Sequence, residues 1–373
     1  MAEVRLENVT KMYGRKIAVN NISFSCKEGE LFSIIGPAGA GKTTTLKMIA
    51  GIEKITSGTI YFDERPVNEM PPQERDVAMA FESYNLYPHF STYDNIAFPL
   101  RAPKRGERLS RAEERQRVEE VAGFLGITGL LDRMPVELSG GEKQRVSLAR
   151  AMIRKPEVYL LDEPIAHLDA RLKFSTQTAL KRLASKLGIT IIYVTHDYRE
   201  ALALSDRIAV LRRGVIEQTG TPEEVYSTPA TDFISRFVGE PPINLIDGEV
   251  ITKDKKTFFN AGDDFTIQIR GELVGKMEKV VKQEDNKRKV RLGIRCARIK
   301  VAKDKISDNS FQLPVYAVIH EAGGTLVTFE LKDTFLAVKI EGRVDYGISE
   351  KVWLDFDQDH VLFFKKTFEI SKA

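Results

Sequence analysis

Short apolar runs alternate with stretches of helical period over the first two thirds of the chain. Leu31-Phe32-Ser33-Ile34-Ile35 shows no polar alternation and reads as a strand buried on both faces. Leu46-Lys47-Met48-Ile49-Ala50 follows as a helix closed by Gly51. Ahead of both, Val4, Leu6 and Val9 alternate and Ile22–Cys26 continues in short strands and turns. Further strands are predicted at Thr59–Phe62 and Val77–Phe81, and two more buried ones at Val158–Leu161 and Ile189–Val194. A hairpin around Arg213-Gly214 should join Asp206–Leu211 to Val215–Gln218, and Thr221-Pro222-Glu223-Glu224 opens a short helix. Buried strands alternating with helices, with polar residues at the strand ends, describe a parallel α/β sheet whose site lies along its C-terminal edge.

Two segments break this texture. From about Pro99 to Pro135 the chain becomes helical and highly charged. Ser110 and Glu113 there have capping-box spacing, and Val118, Val121, Ala122 and Leu125 form one apolar stripe suited to packing. After Gly239-Glu240-Pro241-Pro242, short alternating runs take over at Lys289–Ile294, Val315–Ile319, Leu326–Leu331 and Val352–Phe356, and helical stripes nearly vanish. The expected organisation is an α/β domain over residues 1–238 with a helical subdomain at about 99–156. A smaller all-β domain, of OB-like barrel type, follows over 239–373.

Composition narrows the function classes. The 373 residues suffice for two or three domains with their own cores, and 42% hydrophobic with 29% charged residues is ordinary for a globular protein. A net charge of +3 gives no basic field for nucleic acid or anionic lipid. Cys26 and Cys296 lack metal-ligand spacing and read as idle thiols of a reducing compartment. The start carries charges where a secretory signal would be apolar. No apolar run approaches the roughly 20 residues that cross a bilayer, so work at a membrane would require a partner.

Candidate chemistry concentrates at Gly36-Pro37-Ala38-Gly39-Ala40-Gly41-Lys42-Thr43-Thr44, between the buried strand and its helix. Gly36, Gly41, Lys42 and Thr43 stand in the G-x-x-x-x-G-K-T spacing of a phosphate-binding loop. Glycines let backbone N–H groups turn toward phosphate oxygens. The helix N-terminus adds partial positive charge, Lys42 a point charge and Thr43 a hydroxyl for Mg²⁺. Asp162 and Glu163 end one strongly apolar strand, and His196 ends its neighbour. Taken alone the acidic pair is an exposed strand end and the histidine a structural one; aimed at a phosphate loop, they become catalytic candidates.

The order of phosphate loop, LSGGEKQR, LLDEP, AHLD and THD resembles the ATP-binding subunits of ABC transporters. The C-terminal part resembles the regulatory domain of the carbohydrate-importer branch, of the maltose-importer ATPase type. The resemblance covers nearly all of the ATPase part and, more loosely, the rest. It implies that Tyr13, otherwise a surface turn aromatic, stacks on adenine. Asp162 would hold Mg²⁺, Glu163 would orient or deprotonate the attacking water, and His196 would contact the γ-phosphate. Ser139, Gly140, Gly141 and Glu142 would reach the ATP held by the other subunit, with Asp169 bridging the sites.

The implied protein is a peripheral ATPase at the cytoplasmic face of the cell membrane that uses ATP and Mg²⁺. Its implied partners are a second ATPase subunit (identical or related), two transmembrane permease subunits and, indirectly, an extracytoplasmic solute-binding protein. The expected cargo is a sugar or related polyol, with polyamine, sulfate, molybdate or iron import as the alternative. The pattern departs from the family at Glu82, where glutamine is usual. Glu82 could ligate Mg²⁺ while its charge opposes the γ-phosphate. Three outcomes stay open: a tuned active site, a non-hydrolysing half of an asymmetric pair, or Glu82 turned to solvent. His167 also replaces a commonly small or polar residue. Leu86-Tyr87-Pro88-His89-Phe90 is an aromatic loop suited to receive a coupling helix of the membrane subunit.

Overall fold

The computed structural model describes residues 2–101, 109–166, 168, 170–262, 265–284, 287–332 and 334–365. The chain divides into two compact units, residues 1–223 and 224–373. The first contains β1 (Val4–Tyr13), β2 (Lys16–Cys26), β3 (Leu31–Ile35), α1 (Lys42–Ala50), β4 (Ser57–Phe62), β5 (Arg65–Pro66), β6 (Val77–Ala80) and α2 (Thr92–Ala97). It continues through α3 (Arg111–Phe124), α4 (Gly140–Met152), β7 (Val158–Asp162), α5 (Ala170–Leu187), β8 (Thr190–Thr195), α6 (Tyr198–Leu204), β9 (Arg207–Arg212) and β10 (Val215–Gly220). Helix α7 (Pro222–Ser227) spans the division.

The central sheet has the order β10-β9-β3-β8-β7-β6. Its strands pair in parallel except β10, which returns antiparallel to β9. Every residue of β3, β7 and β8 is buried, which explains why their sequences lack alternation. A second, antiparallel sheet, β2-β1-β4-β5, shares a core with α1, through Leu6, Phe24 and Phe62 against Leu46 and Ile49. The helical insert closes the other core: Val118, Ala122 and Val146 lie in one cluster with Tyr159 and Leu161. The predicted capping box forms, with Glu113 N–H donating to Ser110 Oγ and Ser110 N–H to the Glu113 carboxylate at 2.8 Å. The hairpin turn also forms, Arg213 and Gly214 both having the positive φ that a tight two-residue connection requires.

The second unit comprises α8 (Asp232–Phe237), β11 (Asn244–Lys253), β12 (Lys256–Asn260), β13 (Thr266–Ile269), α9 (Gly271–Glu278), β14 (Lys282–Glu284), β15 (Lys287–Ile294) and β16 (Ile299–Ala302). It ends with β17 (Phe311–Glu321), β18 (Gly324–Leu331), β19 (Thr334–Ile340), β20 (Lys351–Phe356) and β21 (Leu362–Phe364). These form two antiparallel sheets, β13-β12-β11-β15-β14 with β21 on β15, and β16-β20-β17-β18-β19. One core joins them, including Phe259, Phe265, Phe311 and Phe356. The all-β texture of the sequence is realised, with α9 as an addition that has only Leu273 and Met277 buried.

The division falls ahead of the Gly239–Pro242 stretch at which composition places it, because α8 is tied into the second unit. Fully buried Arg291 of β15 donates to Asp232 of α8 at 2.6 Å and to both carboxylate oxygens of Asp247 at 2.6 and 2.9 Å. A buried cation held in this way stabilises only while its anions remain matched, and removing one partner from a buried pair typically costs ~3–5 kcal/mol. Arg291→Met should therefore lower the stability of the second unit by about 3 kcal/mol, read as an earlier urea midpoint for that unit. An unchanged midpoint would show that the ion cluster is dispensable.

Candidate functional site

The C-terminal ends of β3, β7 and β8 lie side by side, and each delivers part of the site. β3 runs into the phosphate loop, whose shape is set by backbone proximity. A Cβ on Gly36 would collide with the carbonyl oxygen of Leu211, and one on Gly41 would come within 2.6 Å of the Ala18 carbonyl. Gly41, at φ 107°, N-caps α1 without a side chain, so the first helical N–H groups stay open toward the loop. Lys42 folds back over the loop and donates to the carbonyls of Gly36 at 2.9 Å and Pro37 at 3.1 Å. Its ammonium is buried, which lowers its pKa, while the carboxylates of Glu163, Asp162 and Glu82 act in the other direction.

β7 delivers the acids. Asp162 is buried and accepts from Thr43 Oγ1 at 3.2 Å, joining the strand end to the loop. Burial pushes its carboxyl up to about 6, opposed by the Thr43 hydrogen bond and reinforced by the charges of Glu82 and Glu163. Glu163 turns out of the strand direction through a left-handed backbone, φ 47°, uncommon for a residue with a Cβ and characteristic of functional sites. Hydrogen bonds to its backbone hold it there: its N–H donates to Val194 O at 2.9 Å, and its carbonyl accepts from Gln144 Nε2 at 2.7 Å and from Ala166 N–H at 3.4 Å. β8 delivers His196, whose Nδ1 lies 2.7 Å from Glu163 Oε2. Glu82 sits exposed in the loop after β6, near enough for its charge to act on both Asp162 and Lys42.

A cradle of backbone N–H groups, one ammonium, and a carboxylate paired with an imidazole form the chemistry of phosphoryl transfer to water. A family model described as ABC transporter matches residues 19–166. The trehalose/maltose import ATP-binding protein MalK of Thermococcus litoralis is 50% identical over 260 residues, covering 68% of each chain. The sulfoquinovosyl glycerol transport ATP-binding protein SmoE of Agrobacterium fabrum is 40% identical over 371 residues, covering 100% of this chain and 99% of the relative. The chain belongs to the ABC transporter ATP-binding proteins. A dimeric ATP-binding cassette in a post-hydrolysis state, bound to ADP and phosphate, superimposes on 59% of this ABC ATPase and on 98% of its own length. That match has a TM-score of 0.55 and 33% identity.

Other site candidates of this ABC ATPase lie outside the ends of β3, β7 and β8. Tyr13, at the end of β1, is 45% exposed and has Lys11 Nζ 4.6 Å from its ring centroid. Ser139 N-caps α4 in a second capping box, and its N–H donates to the Glu142 carboxylate at 2.8 Å. Glu142 is thereby committed to its own helix start, and the hydrogen bonds from Ser139 hold its pKa low. Gly140 and Gly141 open α4, where N–H groups lack intrahelical acceptors. Asp169 and His167 lie outside the described residues.

In the aromatic loop, Tyr87, Phe90 and Phe98 form a three-ring cluster with centroids 4.8–5.6 Å apart. Arg150 of α4 lies 5.2 Å from the Tyr87 ring centroid and donates to the carbonyls of Tyr84 and Asn85. Sequence reading passed over Gln144 and Arg150; both occupy the helix that begins at the LSGG stretch, which was the available signal.

The raised pKa of Asp162 has a defined sign in the nucleotide- and metal-free protein. The folded state holds that proton more tightly than the unfolded chain, so the contribution to stability is complete below about 3.8 and is lost as pH rises through about 6. The loss amounts to about 3 kcal/mol at neutral pH. Asp162→Asn removes this cost, so its melting temperature should exceed wild type at pH 8 and converge with it toward pH 4. A constant difference across that range would contradict the assignment.

Proposed function

We propose that this ABC ATPase pairs with a second ATPase subunit and powers import of a sugar or related polyol through two permease subunits, at the cytoplasmic face of the membrane. The carrying observation is the Glu163 carboxylate turned out of β7 into contact with His196, beside the phosphate loop. Glu163 orients and deprotonates the attacking water, and His196 contacts the γ-phosphate. Lys42 leaves its loop carbonyls for the phosphates. Tyr13, an exposed ring at a strand end, stacks on adenine.

The exposed start of α4, with Ser139, Gly140, Gly141 and Glu142, faces the ATP of the partner subunit, and Asp169 bridges the two sites. Trehalose/maltose and sulfoquinovosyl glycerol, the solutes of the two relatives, favour a polyhydroxylated cargo. Among the described residues no helix is long and apolar enough to cross a membrane, consistent with separate permease subunits. The Tyr87–Phe90–Phe98 cluster is the surface offered to them.

Mg²⁺ fits the donor set. Thr43 and Asp162 offer hard oxygen ligands, and crowding among Asp162, Glu163 and Glu82 is what a divalent cation offsets. Among the described residues no three His, Cys, Asp or Glu side chains converge as a cage, so phosphate oxygens and water would complete the coordination. When bound, the ion supplies charge neutralisation at the phosphates.

Glu163→Gln should lower kcat for ATP about a hundredfold or more while ATP still binds, and solute uptake should fall with it; transport continuing unabated would sink the assignment. Glu82→Gln should raise the Mg²⁺ concentration giving half-maximal hydrolysis. If neither rate nor Mg²⁺ dependence changes, Glu82 has no part in the mechanism.

A further inference from the structure

The His196 side chain is 60% exposed, and among the described residues its contact with Glu163 holds it from the site side. Its position must otherwise come from the turn that carries it, between the end of β8 and the start of α6. Inside that turn, Asp197 N–H donates to Thr195 Oγ1 at 3.0 Å, and one oxygen of the Asp197 carboxylate caps α6 by accepting from Arg199 N–H at 3.0 Å. The second oxygen faces outward from the turn and accepts from Lys173 Nζ of α5 at 3.1 Å. The same ammonium lies 2.5 Å from Glu200 Oε1, and the other Glu200 oxygen accepts from Tyr193 Oη at 2.7 Å. Tyr193 and Glu200 are both buried.

From these contacts we infer that Lys173 is a positioning residue for hydrolysis: its ammonium clamps the His196 turn to α5 by bridging two carboxylates that follow it, Asp197 at the cap of α6 and Glu200 in its first turn. Asp197, the N-cap of α6, and Glu200 within it are three apart, one residue and four residues after His196. Their side chains keep only 14% and 3% of their exposure, so water screens their mutual repulsion poorly. One cation answers both. Arg199 also reaches Asp197, but its side chain is 64% exposed. Burial works against the Lys173 charge, yet the hydrogen bonds and charges of Glu200 and Asp197 leave its pKa raised. Without the clamp the two carboxylates move apart and the turn swings, taking His196 away from Glu163. Tyr193 anchors the far end, because its hydroxyl is held inside the fully buried β8.

The consequence is specific to turnover. Nothing in the clamp touches the phosphate loop, so nucleotide binding should not depend on it. The inference rests on His196 serving hydrolysis, and the test separates the two ideas. Steady-state ATP hydrolysis of the full-length protein is compared for wild type, Lys173→Met, Lys173→Arg, His196→Ala and the Lys173→Met/His196→Ala pair. Expected are a kcat at least tenfold lower in Lys173→Met with KM for ATP within twofold, recovery in Lys173→Arg, and no additional loss when Lys173→Met is added to His196→Ala.

If His196→Ala hydrolyses ATP at the wild-type rate, the role given to His196 fails. If His196→Ala is slow while Lys173→Met matches wild type, or if the two losses multiply, the clamp fails and the role of His196 stands. Should Lys173→Met prove too unstable, Lys173→Gln removes the charge while keeping a polar chain of similar length and should show the same fall in kcat, full activity again overturning the clamp.

Discussion

The parallel register of β3, β7 and β8 is the constraint on which the site depends. Ile35 pairs with Thr195 and Asp162 with Val194, so the last residues before Gly36, Glu163 and His196 come within one residue of level at one edge of the sheet. A slip of one residue would translate a strand by about 3.3 Å. That distance would break the 3.2 Å contact between Thr43 and Asp162 and the 2.7 Å contact between Glu163 and His196. The register is protected because all three strands are buried throughout, and sliding any of them would unpack both cores that flank the sheet.

Around this edge the fold concentrates charge that water would otherwise disperse. Lys42 and Asp162 are buried, and Glu163 is largely so, each in a neighbourhood that shifts or strains it. On the proposed reading, a bound phosphate would satisfy Lys42 and the loop N–H groups together, and a divalent cation would offset the crowded carboxylates. The left-handed backbone at Glu163 belongs to the same economy. On the proposed reading, its carboxylate would be aimed before any substrate arrives, leaving little reorganisation for the chemical step.

The sequence made the phosphate loop readable because its constraints are local. Spacing, glycine freedom and the strand–helix context all act within a dozen residues of Gly36. Asp162, Glu163 and His196 were readable because buried parallel strands announce their own C-terminal ends. The turn of Glu163 was not, since a positive φ at glutamate depends on Gln144 and Val194, which are distant in sequence. The network behind His196 was likewise hidden, because Lys173 sits on a helix whose polar residues resemble any solvated face. In the second unit β15, β17, β18 and β20 stood out as apolar alternations. Shorter β13, with two buried positions, and the eight-residue α9 carry too few buried positions to make a period.

Helix α8 has an implication for how such proteins are assembled over evolutionary time. Asp232 is matched to an arginine of β15, the fifth strand after it in sequence order, inside the mostly β portion. A lineage that acquires or discards its tail by recombination at the proline pair would separate that aspartate from its cation and leave a defect in whichever fragment kept it. The seam where modules can be exchanged without injury therefore lies upstream of α8, and the helix is inherited with the tail it serves.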